Sequence, residues 1–419
     1  MNEICCLATT KENVKKLKNH LEKLGLLNKQ YRITKVDNTF LIPITFGERL
    51  LEDDFQTRLS KLTLCAFSIL YIDKDQLLAV KLKTPHEKLQ EFVLSYMKTN
   101  SLIECNLQNI MAELPKKWEI HGDLIMFPDS AFYSPVWNDF PEEFWKELVE
   151  LFSVKRVAVT SRIRDDGYRT PRVIIKLGRD GWVEHVDNGI KYTFDVTKNM
   201  FSKGNITEKL RISNMDCTGE IVVDLFAGIG YFVLPFLVKA NAKKVIACEW
   251  NPDAVLALSK NLLLNNVNGR CEIREGDNRL VAPKGIANRV NLGLIPTSSA
   301  SWQVACDALN RTTGGYLHIH ENVESWLIES NESDDINILK EKNCACKDTC
   351  IVTQTYKGCL SETKRLSWCR FTSSCLAALR SMFDLSSQWN IELCHIEQVK
   401  SYAPHVDHLV FDIECRPKN

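Results

Sequence analysis

Asp224-Leu225-Phe226-Ala227-Gly228-Ile229-Gly230-Tyr231-Phe232 is the stretch of this chain best suited to hold a small charged molecule. An apolar run from Ile221 to Phe226 enters a turn with two glycines, and a second apolar run follows. Glycine lets a ligand approach the backbone where a Cβ would clash. A helix that opens there offers free backbone N–H groups. Dinucleotides and S-adenosylmethionine are the two cofactor classes bound at such a turn. A dinucleotide site asks for G-x-G-x-x-G/A. Here Val233 stands three residues after Gly230, too large for that close approach of helix to strand.

Asp224, four residues before Gly228, fits Asp-x-x-x-Gly-x-Gly, the pattern of class I S-adenosylmethionine enzymes. The next two predicted strands end in groups that suit the same ligand. Val245-Ile246-Ala247-Cys248-Glu249 closes on a carboxylate able to accept from both ribose hydroxyls, and Asn251-Pro252 then opens a helix. After Glu275-Gly276, Asp277 can accept from the adenine amino group and Asn278 can share the ring edge. The fourth strand leads into Gly293-Leu294-Ile295-Pro296-Thr297-Ser298. Amino-directed methyltransferases carry Asn/Asp-Pro-Pro-Tyr/Phe there, to orient the amine and stack on the base. This chain has neither the acid or amide before the proline nor the aromatic after it, which speaks against methylation of an exocyclic amine.

These groups need a parallel sheet to bring their strand ends together. From about Thr197 onward, strand and helix patterns alternate, as in a sheet covered by helices on both faces. Strands are predicted at Ile221–Phe226, Lys244–Cys248, Cys271–Arg274, Val290–Ile295 and Tyr316–His320, with helices at Phe232–Val238 and Pro252–Leu264. Glu392–Val399 and Asp407–Ile413 read as a closing antiparallel pair. The expected fold class is therefore α/β, a Rossmann-like catalytic domain with a mostly parallel sheet, preceded by smaller α+β modules. The expected modules are residues 1–105, a strand-rich segment 106–196, and the catalytic domain 197–419 with a polar insertion near 324–363. In the first, Val14–Leu27 and Glu87–Met97 read as helices and Tyr31–Thr45 as a hairpin about Asp37-Asn38. In the second, Asp187-Asn188-Gly189 between alternating strands is a strong hairpin signal.

The chain has 419 residues, enough for two or three domains. Hydrophobic residues make up 45% and charged residues 25%, which excludes a mostly disordered or collagen-like chain. Its 53 basic and 53 acidic residues cancel, so any RNA contact must come from a local patch. Lys155, Arg156, Arg162, Arg164, Arg169, Arg172, Lys176 and Arg179 form the densest such cluster. The 16 cysteines are scattered, and with no signal peptide they read as reduced thiols of a cytoplasmic protein. Cys344, Cys346, Cys350 and Cys359 lack the spacing of a metal site, and no metal is expected. Asp224, Gly228, Gly230 and Pro235 break up the apolar run Ile221–Val238, so no membrane span is expected. Nothing calls for an obligate protein partner.

Taken together, four segments resemble the tRNA wybutosine-synthesizing protein 2 family: Phe201-Ser202-Lys203-Gly204-Asn205-Ile206-Thr207-Glu208-Lys209-Leu210-Arg211, Asp224–Phe232, Gly293–Pro296 and Val399–His408. The resemblance is clear from about Lys116 to Pro417 and faint before that. It implies transfer of the 3-amino-3-carboxypropyl arm of S-adenosylmethionine to a ring carbon of the tricyclic wybutosine precursor at position 37 of tRNA(Phe), with methylthioadenosine released. It places Ser202 and Lys209 near the methionine end, Glu249 at the ribose, and Asp277 with Asn278 at the adenine. Lys209 would pair with the arm's carboxylate. Glu208 matches the acid that related tRNA guanine-N1 methyltransferases use in proton removal. It would either take the ring-carbon proton or only cap a helix. Two alternatives remain open from sequence: a guanine-N1 methyltransferase of position 37, and a non-catalytic S-adenosylmethionine-binding protein that binds tRNA.

Overall fold

The computed structural model describes residues 3–45, 59, 61, 65–77, 83–100, 107–161, 170–201, 203–325, 352, 355–356, 358, 360–383 and 389–418. The chain divides into two compact units, Met1–Ser101 and Leu102–Asn419.

In the first unit, β1 (Glu3–Thr9), β2 (Thr34–Val36), β3 (Thr39–Pro43) and β4 (Ser68–Asp73) form an antiparallel sheet in the order β2-β3-β1-β4. The expected hairpin turns at Asp37, whose φ of 52° suits a short polar side chain. Helix α1 (Lys11–Lys23) buries Leu17 and Leu21, four residues apart on one face. Helix α2 (Pro85–Thr99) opens with a capping box between Thr84 and Glu87. Strand β1 is absent from the sequence reading because Ile4-Cys5-Cys6-Leu7-Ala8 carries no alternation. Cys5 through Ala8 are all buried, so both faces of this central strand are covered.

The second unit begins with α3 (Leu107–Ala112), then β5 (Glu119–His121) and β6 (Leu124–Phe127), helix α4 (Glu142–Phe152), β7 (Arg156–Ser161) and β8 (Arg172–Leu177), ordered β5-β6-β7-β8. The hairpin of β9 (Trp182–Asp187) and β10 (Ile190–Asp195) turns at Asn188-Gly189, both with positive φ. Helix α5 (Ile206–Ser213) leads to β11 (Ile221–Asp224), β12 (Lys244–Glu249), α6 (Pro252–Leu264), β13 (Cys271–Glu275) and α7 (Asn278–Val281). Then follow β14 (Arg289–Leu292), α8 (Trp302–Ala308), β15 (Gly315–Glu324), α9 (Glu362–Met382), β16 (Trp389–Ala403) and β17 (Val406–Pro417). The seven-stranded sheet runs β13-β12-β11-β14-β15-β17-β16. Strands β11 to β15 are parallel; β17 runs antiparallel to both β15 and β16.

The β9–β10 hairpin packs with the catalytic sheet. Tyr192 and Phe194 of β10 share one core with Val222, Phe236, Ala257 and Leu258 of the catalytic sheet and its helices. Asn261 of α6 joins the hairpin to the glycine turn, accepting from Thr193 N at 2.6 Å and donating to Ile229 O at 2.9 Å. The helix expected at Phe232–Val238 is wound as a π-helix over Pro235–Lys239, where Ala240 N reaches back five residues to Pro235 O at 3.0 Å.

Helix α9, 21 residues long, is absent from the sequence reading. Cys369, Thr372 and Cys375 stand within its buried stripe beside Trp368, Leu376 and Leu379, so hydropathy hides the helical period. Ten described cysteines are free, whereas Cys369 is disulfide-bonded, a departure from the expectation of reduced thiols throughout. Cys344, Cys346, Cys350 and Cys359 lie outside the described residues, as do Arg162, Arg164 and Arg169. Among the described residues no helix is long and apolar enough to cross a membrane, and no cluster of side chains could hold a metal ion.

Candidate functional site

Strand order reverses beside β11: β12 and β13 lie on one side, β14 and β15 on the other. Connections therefore leave the carboxyl ends of β11 and β14 in opposite directions and open a crevice between them. A cavity of about 580 Å³ lies there, lined by the glycine turn, the ends of β12, β13 and β14, and the segment around Lys198–Asn205.

The glycine turn forms one wall. Gly228 has φ of 53° and Gly230 of 102°, conformations that side chains disfavour. Gly228 lines the cavity. At Gly230, which is not on the lining, a Cβ would come within 3.0 Å of Leu258, so this glycine lets α6 pack close. Asp224 is fully buried behind the turn. Its Oδ1 accepts from Phe226 N at 3.1 Å and Asn291 Nδ2 at 3.2 Å, while Oδ2 has no partner among the described residues. Burial pushes its carboxyl up to about 7. Asp224 thus ties β11 to β14 and shapes the turn without reaching the cavity.

Glu249 faces the cavity at the end of β12. Its Oε2 accepts from Gly228 N at 2.7 Å, and its Oε1 from Trp250 N at 2.9 Å and Asn251 N at 2.8 Å. These three bonds fix the carboxylate and use most of its roughly four acceptor positions. Burial raises its pKa against the pull of those bonds. At the end of β13, Asp277 caps α7 through Arg279 N at 2.9 Å and pairs with the Arg279 guanidinium, which holds its carboxyl below the usual range. Asn278 also lines the cavity, but its side chain is engaged in the fold. It donates to Leu225 O at 2.9 Å and accepts from Ser301 Oγ at 2.9 Å.

Lys209, expected at the methionine end, and Glu208, expected as proton acceptor or helix cap, do not line the cavity. Lys209 is 3% exposed and is not on the cavity lining; its ammonium is paired with Asp187 and lies 5.0 Å from the Phe201 ring centre. The family resemblance implied that place for Lys209, but the turn of α5 sets its ammonium against Asp187 of the β9–β10 hairpin instead. Glu208 is fully buried in a bidentate pair with Arg211, at 2.8 Å on both oxygens, and Arg211 also grips Asp412 at 2.5 Å. Burial outweighs Arg211 and pushes the Glu208 carboxyl up to about 7. Glu208 is not on the lining either, and its carboxylate holds Arg211 rather than capping the helix. Ser202 lies outside the described residues.

Sequence reasoning passed over several lining residues, including Asn199, Asn205, Tyr231, Trp250 and Arg279. It also missed Glu321 of β15, which holds the fourth-strand loop: it accepts from Thr297 Oγ1 at 3.0 Å and Ser298 N at 2.9 Å. Trp250 directly follows Glu249 and Arg279 directly follows Asp277-Asn278, a signal within reach. Glu321 has none, because its partners lie over twenty residues away.

A glycine turn at a switch point, an acid closing the second strand and Asp-Asn closing the third define an S-adenosylmethionine-dependent transferase of the Rossmann-like class. The chain is 39% identical over 427 residues to the tRNA wybutosine-synthesizing protein 2 homolog of Rattus norvegicus, spanning 99% of this chain and 97% of the relative. It is 39% identical to the Danio rerio homolog over the whole of both chains. The chain belongs to the tRNA wybutosine-synthesizing protein 2 family. Residues 183–347 match the TRM5/TYW2 methyltransferase domain, 101–181 the TYW2 N-terminal domain, and 6–48 the tRNA methyltransferase 5 N-terminal domain. Among solved structures, P. horikoshii TYW2 in complex with MeSAdo is 25% identical with a TM-score of 0.51, covering 77% of this chain and 98% of its own. Trm5b from Pyrococcus abyssi shares the fold at 21% identity and a TM-score of 0.52, over 99% of each chain.

Proposed function

We propose that this chain transfers the 3-amino-3-carboxypropyl group of S-adenosylmethionine to a ring carbon of the wybutosine precursor at position 37 of tRNA(Phe), and releases methylthioadenosine. Full-length identity to wybutosine-synthesizing relatives is the observation that carries this reading. The substrate is a tRNA; tRNA(Phe) is the finer part of the proposal. The cytoplasm is its proposed setting, which ten free thiols among the described residues support and the bonded Cys369 does not.

The cavity residues suit the donor. Glu249, fixed by three backbone bonds, keeps an acceptor position for a ribose hydroxyl, and Asp277 and Asn278 on the same lining support the adenine end of the reading. The bound donor supplies a sulfonium whose attached carbons are all activated. The protein's task is to hold one of them in line with the acceptor, about 3–3.5 Å away. Leu294-Ile295-Pro296-Thr297 offers no side-chain amide or acid before the proline to orient a guanine N1. Alignment of the arm's γ-carbon with a ring carbon needs no such partner.

Nucleoside mass spectrometry of tRNA carrying the precursor tests the proposal. Incubation with enzyme and donor should add the mass of the aminocarboxypropyl group at position 37. Addition of a methyl group, or no change in mass, would overturn it.

A further inference from the structure

Asp224 and Asn291 are both fully buried, and each carries one side-chain oxygen with no hydrogen-bond partner among the described residues. The two groups are already joined once, where Asn291 Nδ2 donates to Asp224 Oδ1 at 3.2 Å. Asp224 Oδ2 and Asn291 Oδ1 are left over, two acceptors without a donor. An ionised carboxylate and an amide oxygen can only accept. One proton on Oδ2 turns that oxygen into a donor and satisfies both atoms at once, as buried polar groups almost always are.

The surroundings favour that proton. No cation pairs with Asp224 among the described residues. The groups that face it are the Glu249 carboxylate and Cys248 thiol of β12, the Cys271 thiol of β13 and the uncharged Asn291 of β14. Both thiols are neutral, since burial pushes each up to about 12. A buried carboxylate without a counter-ion is costly, and burial pushes Asp224 up to about 7.

The pair lies directly beneath the cavity. Asp224 precedes Leu225, and a Cβ on Gly293 would stand 3.3 Å from Asn291 Nδ2; Leu225 and Gly293 both line the cavity. A cation bound above them acts on Asp224 across poorly screening protein. The donor carries such a cation, its sulfonium, and its nucleoside product carries none.

We propose that Asp224 is a carboxylic acid in the resting protein, its Oδ2–H donated to Asn291 Oδ1, and that it ionises when a sulfonium occupies the cavity. The O–H bond breaks, its electron pair stays on Oδ2, and the proton passes to solvent. Loss of the sulfonium on transfer returns the proton. Asp224 thereby favours the charged donor over the uncharged product through charge alone, without touching either. The inference rests on the reading of the cavity as an S-adenosylmethionine site.

Two probes that differ by a methyl group and one charge test this without turnover: methylthioadenosine and its S-methylated form, a dimethylsulfonium. Calorimetry near pH 7, repeated in buffers of different ionisation enthalpy, counts the protons. The wild type should release a fraction of a proton on binding the sulfonium and none on binding methylthioadenosine. From pH 5.5 to 8 the ratio of the two affinities should move towards the sulfonium by about fivefold or more. In Asp224→Asn, whose amide keeps a donor for Asn291 Oδ1, both effects should vanish. Effects that persist in the variant would assign the titration to Glu249 and overturn the proposal, as would a wild type that releases no proton with the sulfonium. Should the variant fail to fold, infrared difference spectra of the wild type serve. The carbonyl band of a buried carboxylic acid should be present with methylthioadenosine and lost with the sulfonium, and a band that does not change overturns the proposal. A wild-type protein that binds neither probe would instead strike the S-adenosylmethionine reading itself.

Discussion

The ammonium of Lys209 is paired with Asp187 where both side chains are less than one-tenth exposed, at 4% and 9%. The pair joins α5 to the turn of the β9–β10 hairpin, behind the cavity wall. Removing one partner leaves an uncompensated buried charge, at a cost of about 3–5 kcal/mol. Lys209→Met should therefore lower unfolding stability by that order in a denaturant titration. Any loss of affinity should fall equally on S-adenosylmethionine and methylthioadenosine. A selective loss for S-adenosylmethionine, with stability intact, would return Lys209 to the arm.

Glu249 serves the fold as well as the ligand. Glu249→Ala leaves the N–H groups of Gly228, Trp250 and Asn251 without their acceptor. The donors at Gly228 and Asn251 are part-buried, and a buried donor so stranded costs about 1–3 kcal/mol. The variant should bind methylthioadenosine at least tenfold more weakly and also unfold at lower temperature. Unchanged binding with a lowered melting temperature would leave Glu249 as a purely structural acid.

The Rossmann-like sheet was largely legible because its strands are short apolar runs ended by glycine, acid or Asn-Pro, and buried parallel strands need no alternation. Helix α6 spans Pro252–Leu264 as read, since Asn251 caps it and Pro252 starts it. The strand ends that carry Glu249, Asp277 and Asn278 were legible for the same reason. What escaped was decided by tertiary packing. The direction of Lys209 depends on a hairpin about twenty residues earlier. The pairing of Arg211 with both Glu208 and Asp412 depends on a strand two hundred residues later. Spacing in a motif names neighbours along the chain and leaves side-chain direction to the packed state.

Glu321 is 2% exposed and binds Thr297 and Ser298 in the loop that follows the fourth strand. That loop lines the cavity. Glu321→Ala should loosen it and misplace the acceptor base. Turnover on precursor tRNA should fall roughly tenfold or more, while methylthioadenosine affinity stays within about twofold, as expected when only alignment is lost. Equal damage to ligand binding would mean that Glu321 supports the whole cavity.

His408 lies against His320, Nε2 to Nδ1 at 3.1 Å, and burial with the nearby Lys400 charge lowers its pKa to about 4. An unfolded histidine titrates near 6.5, so the unfolded chain binds this proton more readily than the folded one. The stability contributed by neutral His408 is therefore fully present above about pH 6.5 and is lost as pH falls towards 4. Between pH 7.5 and 4.5 the wild type should lose about 2–3 kcal/mol more than His408→Gln in denaturant titrations. Identical losses for the two proteins would place the acid sensitivity elsewhere.

The central claim is that the donor's arm moves and its methyl group stays. The direct measurement is the nucleoside by-product of a single turnover with precursor-bearing tRNA, separated by liquid chromatography and identified by mass. Methylthioadenosine, formed in equal amount to the modified tRNA, is the result expected here. S-adenosylhomocysteine in that amount would mean that the same cavity delivers a methyl group, and the account of arm transfer would be wrong.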